Sequence, residues 1–127
     1  MRAAENDDPL TRSIIGFAIE VHRQLGPELL ESAYEECLRY EFRENGLAFR
    51  RQVPLPIIYK QIRLDCGYRI DIVVGERVVV ELKTVERLIP VHEAQLLTYL
   101  KLSGIRTGLL LNFNAPVLRD GMRRMVL

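Results

Sequence analysis

An α/β fold, a mixed sheet flanked by helices, is what this chain of 127 residues predicts. Three observations carry that reading. Tyr68 to Lys83 (YRIDIVVGERVVVELK) is two short strands joined by a turn, a helical stretch opens at Pro90, and Gly108 to Phe113 (GLLLNF) is a continuous apolar run. A run of that kind is typical of a strand covered on both faces. Strand, helix and strand in that order imply a right-handed parallel crossover beside an antiparallel hairpin, in a sheet of about four to five strands.

The remaining elements follow in order. Residues 1–9 are polar and expected to fray. Leu10, Ile14, Phe17, Ala18, Val21 and Leu25 recur at helical spacing, which predicts a first helix over 10–25. Gly26-Pro27 ends it, and a second helix is expected from about Glu28 to Asn45, closed by Gly46. Residues 47–64 alternate short apolar runs with Pro54 and Pro56, suggesting one or two edge strands. Pro90 suits the first turn of a third helix running to about Ser103, with Gly104 as its stop. The tail, 117–127, takes no firm assignment, and no repeat, linker or second domain is visible in what reads as a single domain.

Register decides what the hairpin carries. If Gly75-Glu76 were a two-residue turn, Asp71 would lie opposite Val80 and face away from Glu81. A three-residue loop, Gly75-Glu76-Arg77, sets Asp71 directly across from Glu81. It also gathers Tyr68, Ile70, Ile72, Val74, Val78, Val80 and Leu82 on one apolar face, leaving Arg69, Asp71, Val73, Val79, Glu81 and Lys83 on the other. Register follows the face that must be buried, so the odd loop is favoured and two carboxylates converge with one ammonium. An isolated E-x-K tripeptide would more simply be a solvated cross-strand salt bridge.

Composition removes several classes. An apolar fraction of 48% and a charged fraction of 28% are those of a soluble globular protein. No run approaches transmembrane length, and MRAAENDDPL lacks the regions of a signal peptide. Cys37 and Cys66 are too few and too far apart for a disulfide framework or structural zinc, so a cytoplasmic protein with reduced thiols is expected. A net charge of +1 makes no global case for nucleic acid. The local basic runs, Arg50-Arg51 and Arg119 to Arg124, could touch phosphates or be solvated surface.

On a helical wheel Glu31 falls between Leu38 and Phe42, with Tyr34 nearby, inside the apolar stripe of the second helix. A carboxylate aimed at the core needs a cation or metal, unless the helix is rotated and Glu31 snorkels to water. Carboxylates facing each other across strands suit a hard divalent cation, Mg²⁺ or Mn²⁺, which can activate water for metal-assisted phosphodiester hydrolysis. An adjacent Lys83 can orient or deprotonate that water, or stabilise the charge at phosphorus. On the third helix, His92, Gln95 and Tyr99 form a polar stripe. Gln95 could hold a scissile phosphate or a metal-bound water, or could simply bond backbone. His22 reads as a surface or boundary histidine. No zinc-ligand spacing, nucleophilic triad or glycine-rich phosphate loop is present.

Four segments together, LGPELLESAYEECL, GYRIDIVVGERVVVELKTVE, HEAQLLTYLKLSG and GLLLNF, resemble the small GxxExxY proteins of the PD-(D/E)XK nuclease superfamily. The resemblance covers most of the chain. By it, Asp71 matches the first acidic residue, Glu81 and Lys83 the (D/E)XK element, Gln95 the glutamine of the next helix, and Glu31 with Tyr34 the motif naming the family. One position departs: the glycine expected three residues before Glu31 is Glu28. The resemblance implies a restriction-endonuclease-like core and a Mg²⁺-dependent nuclease.

The expectation is therefore a metal-dependent nuclease, acting on DNA, with Asp71, Glu81 and the Leu82 backbone carbonyl as metal ligands and Glu31 a further ligand directly or through water. Lys83 would activate water or stabilise the transition state, and Gln95 would position it. The alternative is a non-catalytic module binding nucleic acid or a protein on the same fold. Under either, a chain this short is expected to work as a homodimer or within a larger complex.

Overall fold

A computed structural model of the chain describes residues 8–127. The first helix, α1 (Pro9–Leu25), starts where a proline meets a cap: Asp8 accepts from the Thr11 backbone N–H at 3.2 Å and from its hydroxyl at 2.7 Å. Expected fraying over residues 1–9 thus fails at Asp8 and Pro9, while residues 1–7 lie outside the described residues. The second helix, α2 (Glu31–Glu44), begins three residues later than the sequence suggests. The cause is Glu28, whose backbone sits in the left-handed region at φ 73° and cannot belong to a right-handed helix.

Strands β1 (Phe49–Pro54), β4 (Arg69–Val74), β5 (Val78–Lys83), β6 (Thr107–Asn112) and β7 (Met122–Val126) form one mixed sheet in the order β1-β4-β5-β6-β7. β5 and β6 are parallel, bridged by α3 (Pro90–Ser103), and the other neighbours are antiparallel. Gly104 ends α3 at φ 77°. Instead of one or two edge strands, residues 47–64 give three. β1 joins the sheet, while β2 (Ile57–Tyr59) and β3 (Ile62–Leu64) pair only with each other, as a separate two-stranded sheet. The unassigned tail folds into a 3₁₀ turn, Leu118–Gly121, and the edge strand β7.

Both faces of the sheet are covered. α1 and α2 lay Ile14, Ala18, Tyr34, Leu38 and Phe42 over Ile72, Val74, Val78, Val80, Leu109 and Leu111. α3 lays Leu96, Tyr99 and Leu100 over Val73, Val79 and Leu110. This explains the unbroken apolar run of β6, since its alternate residues enter two different cores. Helix and sheet approach closely at Gly108, where an added Cβ would stand 2.8 Å from Leu96 Cδ1.

The hairpin has the odd loop. Ile72 pairs with Val80, Val73 with Val79 and Val74 with Val78, leaving Gly75-Glu76-Arg77 as the turn. The expected faces hold from Ile72 onward but not before it. Ile70 packs in the α3 core, and Tyr68 forms a T-shaped pair with Tyr99, their ring centroids 6.5 Å apart. The reason lies in β1: Gln52, opposite Asp71, is left-handed at φ 50°, and alternation flips there in both strands. Phe49 accordingly packs on the α1–α2 side and Val53 on the α3 side.

Candidate active site

The bend at Gln52 and Asp71 is where the sheet opens. Pairing between β4 and β5 stops at Ile72 and Val80, and carboxylates take over the next hydrogen bonds. Asp71 N–H donates to Glu81 Oε2 at 2.9 Å, and Leu82 N–H donates to Asp71 Oδ2 at 2.8 Å. Each acidic side chain thus satisfies a backbone donor on the other strand, and the two strands are held slightly apart. In an extended strand the N–H and C=O of one residue point the same way, so the Leu82 carbonyl opens toward the same gap as its N–H.

The electrostatics are those of uncompensated negative charge. Glu81 is 4% exposed, and burial, followed by repulsion from Asp71, pushes its carboxyl up to about 8. Burial also raises Asp71 above the usual carboxylate range, with Glu35 adding repulsion and the Leu82 amide and Lys83 partly offsetting it. Glu31 is raised as well, by desolvation and then by Asp71, against the pull of Lys83 and the Thr84 amide.

Lys83 ends β5 half-buried, and its Nζ donates to Gln95 Oε1 at 3.0 Å. Gln95 Nε2 in turn donates to the Tyr99 hydroxyl at 3.1 Å. Tyr99 is itself pushed up by burial, then by the negative charge of Glu81. The loop after Lys83 is pinned by buried Asn112, which accepts from Val85 N–H at 3.1 Å and donates to Val85 O at 2.9 Å.

Asp71, Glu81, Lys83 and Gln95 are therefore brought together. Glu31 joins them at the first turn of α2, but as an exposed residue, not one buried in the apolar stripe. Tyr34, Leu38 and Phe42 fill that stripe without it. Tyr34 stacks on Phe113 at 4.5 Å, and its hydroxyl donates to Gly26 O and accepts from Leu29 N–H at 3.2 Å. It thereby fixes the loop that delivers Glu31. His92, one turn before Gln95 on α3, has a capping role: its Nδ1 accepts from Ile89 N–H at 3.0 Å. His22 is buried at the edge of the α1 core, its Nε2 2.7 Å from Ala115 O.

Two residues of the site went unread in the sequence. Glu35, buried on α2, accepts from Arg51 Nε at 3.1 Å and from Gln52 Nε2 at 3.0 Å, and Gln52 also bonds Asp71. A second glutamate four residues after Glu31 is the signal that could have found Glu35. Arg50 closes a two-pronged bond on Glu76, so both arginines of that basic run are tied to carboxylates.

The donor set can be tested against a cation. Among the described residues no three His, Cys, Asp or Glu side chains are grouped to hold a metal alone. Mg²⁺ does not require that, since it usually takes one or two carboxylates and keeps several waters. Two facing carboxylates with raised pKa values and a backbone carbonyl open to the same gap fit such an ion. No helix among the described residues is long and apolar enough to cross a membrane.

A mixed sheet sandwiched by helices, with an acidic pair and a lysine where two strands part, defines a nuclease-like α/β domain. Family comparison matches residues 8–125 to the PD-(D/E)XK nuclease superfamily, and the chain belongs to it. No curated protein and no solved structure matches the chain.

Proposed function

We propose that this protein is a metal-dependent nuclease that hydrolyses phosphodiester bonds, with DNA as its substrate, and that it belongs to the GxxExxY group of its superfamily. The group assignment is supported by Glu28, which stands at φ 73° where a glycine would fit without strain. The nuclease reading is carried by one observation: Asp71 and Glu81 exchange hydrogen bonds with each other's strands at the gap that Lys83 and Gln95 border.

Asp71, Glu81 and the Leu82 carbonyl would hold Mg²⁺ or Mn²⁺, with Glu31 a further ligand directly or through water. When bound, the cation supplies a lowered pKa for water and neutralises charge on the phosphate. The chain's own groups do the rest. Lys83, anchored by Gln95 Oε1, presents an ammonium that orients the attacking water or stabilises negative charge developing at phosphorus. Gln95, held at its other end by Tyr99, fixes where that ammonium sits.

Calorimetric titration with Mn²⁺ on wild type and Glu81→Ala tests the site, and cleavage assays on Asp71→Ala and Lys83→Ala test the chemistry. Binding is expected to vanish in Glu81→Ala. Cleavage is expected to vanish in both other variants, with metal binding retained in Lys83→Ala. Unchanged cleavage by Asp71→Ala and Lys83→Ala would refute the assignment, and a wild type that neither binds Mn²⁺ nor cuts would leave a non-catalytic binding module.

A further inference from the structure

We propose that the β2–β3 hairpin, Tyr68 and the outer side of α3 receive an unpaired base, so that the nucleic acid taken at this site is single-stranded where it crosses them. The inference rests on the preceding reading only in placing the strand beside Lys83 and Gln95. Residues 58–69 are exposed without a break, yet they include Ile58 (59%), Tyr59 (58%), Ile62 (56%), Leu64 (40%) and Tyr68 (45%). A hairpin that pairs only with itself and leaves about half of each of these side chains to water gains little from them in folding, and Tyr59, Ile62 and Leu64 share one of its faces, an exposed apolar surface of the kind that binding sites use.

A cavity of about 230 Å³ lies at its base, lined by Ile57, Tyr68, Gln95, Thr98, Tyr99 and Leu102. It shares Gln95 and Tyr99 with the candidate active site, so whatever enters it is held next to Lys83. Its walls are those a base requires: an aromatic ring from Tyr68, apolar side chains from Ile57 and Leu102, and hydrogen-bonding groups on Gln95, Thr98 and Tyr99. The exposed segment that leads to it has the charge a phosphodiester backbone requires. Lys60, Arg63 and Arg69 stand in the exposed segment against one carboxylate, Asp65, which lies 3.3 Å from Arg63. Aromatic platforms flanked by cations take up single strands, because a stacked base must first leave its duplex.

Fluorescence anisotropy with labelled oligodeoxythymidylate and a blunt duplex of equal length, in EDTA so that no strand is cut, tests the proposal. The single strand is expected to bind more tightly. Tyr68→Ala should weaken it about tenfold, the scale of one lost stacking contact. Tyr68→Phe should retain binding, and Tyr40→Ala, an exposed tyrosine on α2, should change nothing. Equal or tighter binding of the duplex, an unaffected Tyr68→Ala, or no oligonucleotide binding at all would overturn the proposal, the last leaving the hairpin to a protein partner. Should the binding pattern hold while no strand is ever cut in Mg²⁺, the hydrolytic reading falls and this one stands.

Discussion

Replacing Glu81 by Gln should make the metal-free protein more stable, and the gain should grow with pH. In the fold Glu81 titrates at about 8, against 4.5 for an unperturbed glutamate, because it is 4% exposed and faces Asp71. Below pH 4.5 the folded and unfolded chains both carry the proton, and Glu81 costs nothing. Between 4.5 and 8 the unfolded chain has released a proton that the folded chain keeps, so stability falls as pH rises. Each pH unit of that interval is worth about 1.4 kcal/mol, which sums to about 5 kcal/mol by pH 8. That is comparable to the entire stability of many small domains.

Glutamine keeps an oxygen for the Asp71 N–H and has no proton to lose, so Glu81→Gln escapes the loss. Asp71, raised chiefly by its own burial, loses stability in the same direction in both proteins, so the difference between them reports Glu81. The assay is urea unfolding of both proteins in EDTA from pH 5 to 8. The two midpoints should nearly coincide at pH 5 and diverge steadily to pH 8, with the variant higher and the slope of the transition unchanged. Parallel profiles, or a gap that widens toward acid, would show that Glu81 is ionised in the fold and would refute the reasoning.

Glu28→Gly should stabilise the protein by about 1 kcal/mol in denaturant unfolding, because relief of the left-handed backbone outweighs the entropy glycine adds to the unfolded chain. Gly108→Ala should cost about 1–3 kcal/mol, since its Cβ would stand 2.8 Å from Leu96 Cδ1 between sheet and helix; an unchanged urea midpoint would mean that α3 shifts freely. Tyr34→Phe retains the stack on Phe113 but drops the bonds to Gly26 and Leu29, a loss of about 1–2 kcal/mol by urea. Faster hydrogen exchange confined to residues 26–31 would identify the loop that carries Glu31 as the part released.

The parts of this molecule legible in its sequence are those where burial on one face leaves a single solution. Seven apolar residues of the hairpin admit one register that gathers most of them, and that register puts Asp71 across from Glu81. GLLLNF reads as an interior strand because no charged residue interrupts it, and Pro90 and Gly104 mark the ends of α3 on their own. β7 was illegible for the opposite reason: MRRMV is short, carries arginine on both faces and lies at a sheet edge. The β2–β3 hairpin misleads in another way: IIY and IRL are as apolar as buried strands, yet Ile58, Tyr59, Ile62 and Leu64 are exposed.

The failure at Gln52 is of a different kind and bears on the site. Nothing in a glutamine favours φ 50°, and no local pattern announces that alternation will flip there in two neighbouring strands. The conformation is held from outside, by Glu35 on α2 and Asp71 on β4, both of which engage the same side chain. Without that flip Ile70 and Tyr68 would continue on the face of Ile72, and Tyr68 could not meet Tyr99 beside Gln95. The bend thus does two things at once: it lies where the ladder ends and the Asp71–Glu81 gap begins, and it turns Tyr68 toward α3. Local rules give way where a structure is held for a purpose other than its own stability. Here they give way at the one position that connects the acidic pair to the exposed aromatic surface.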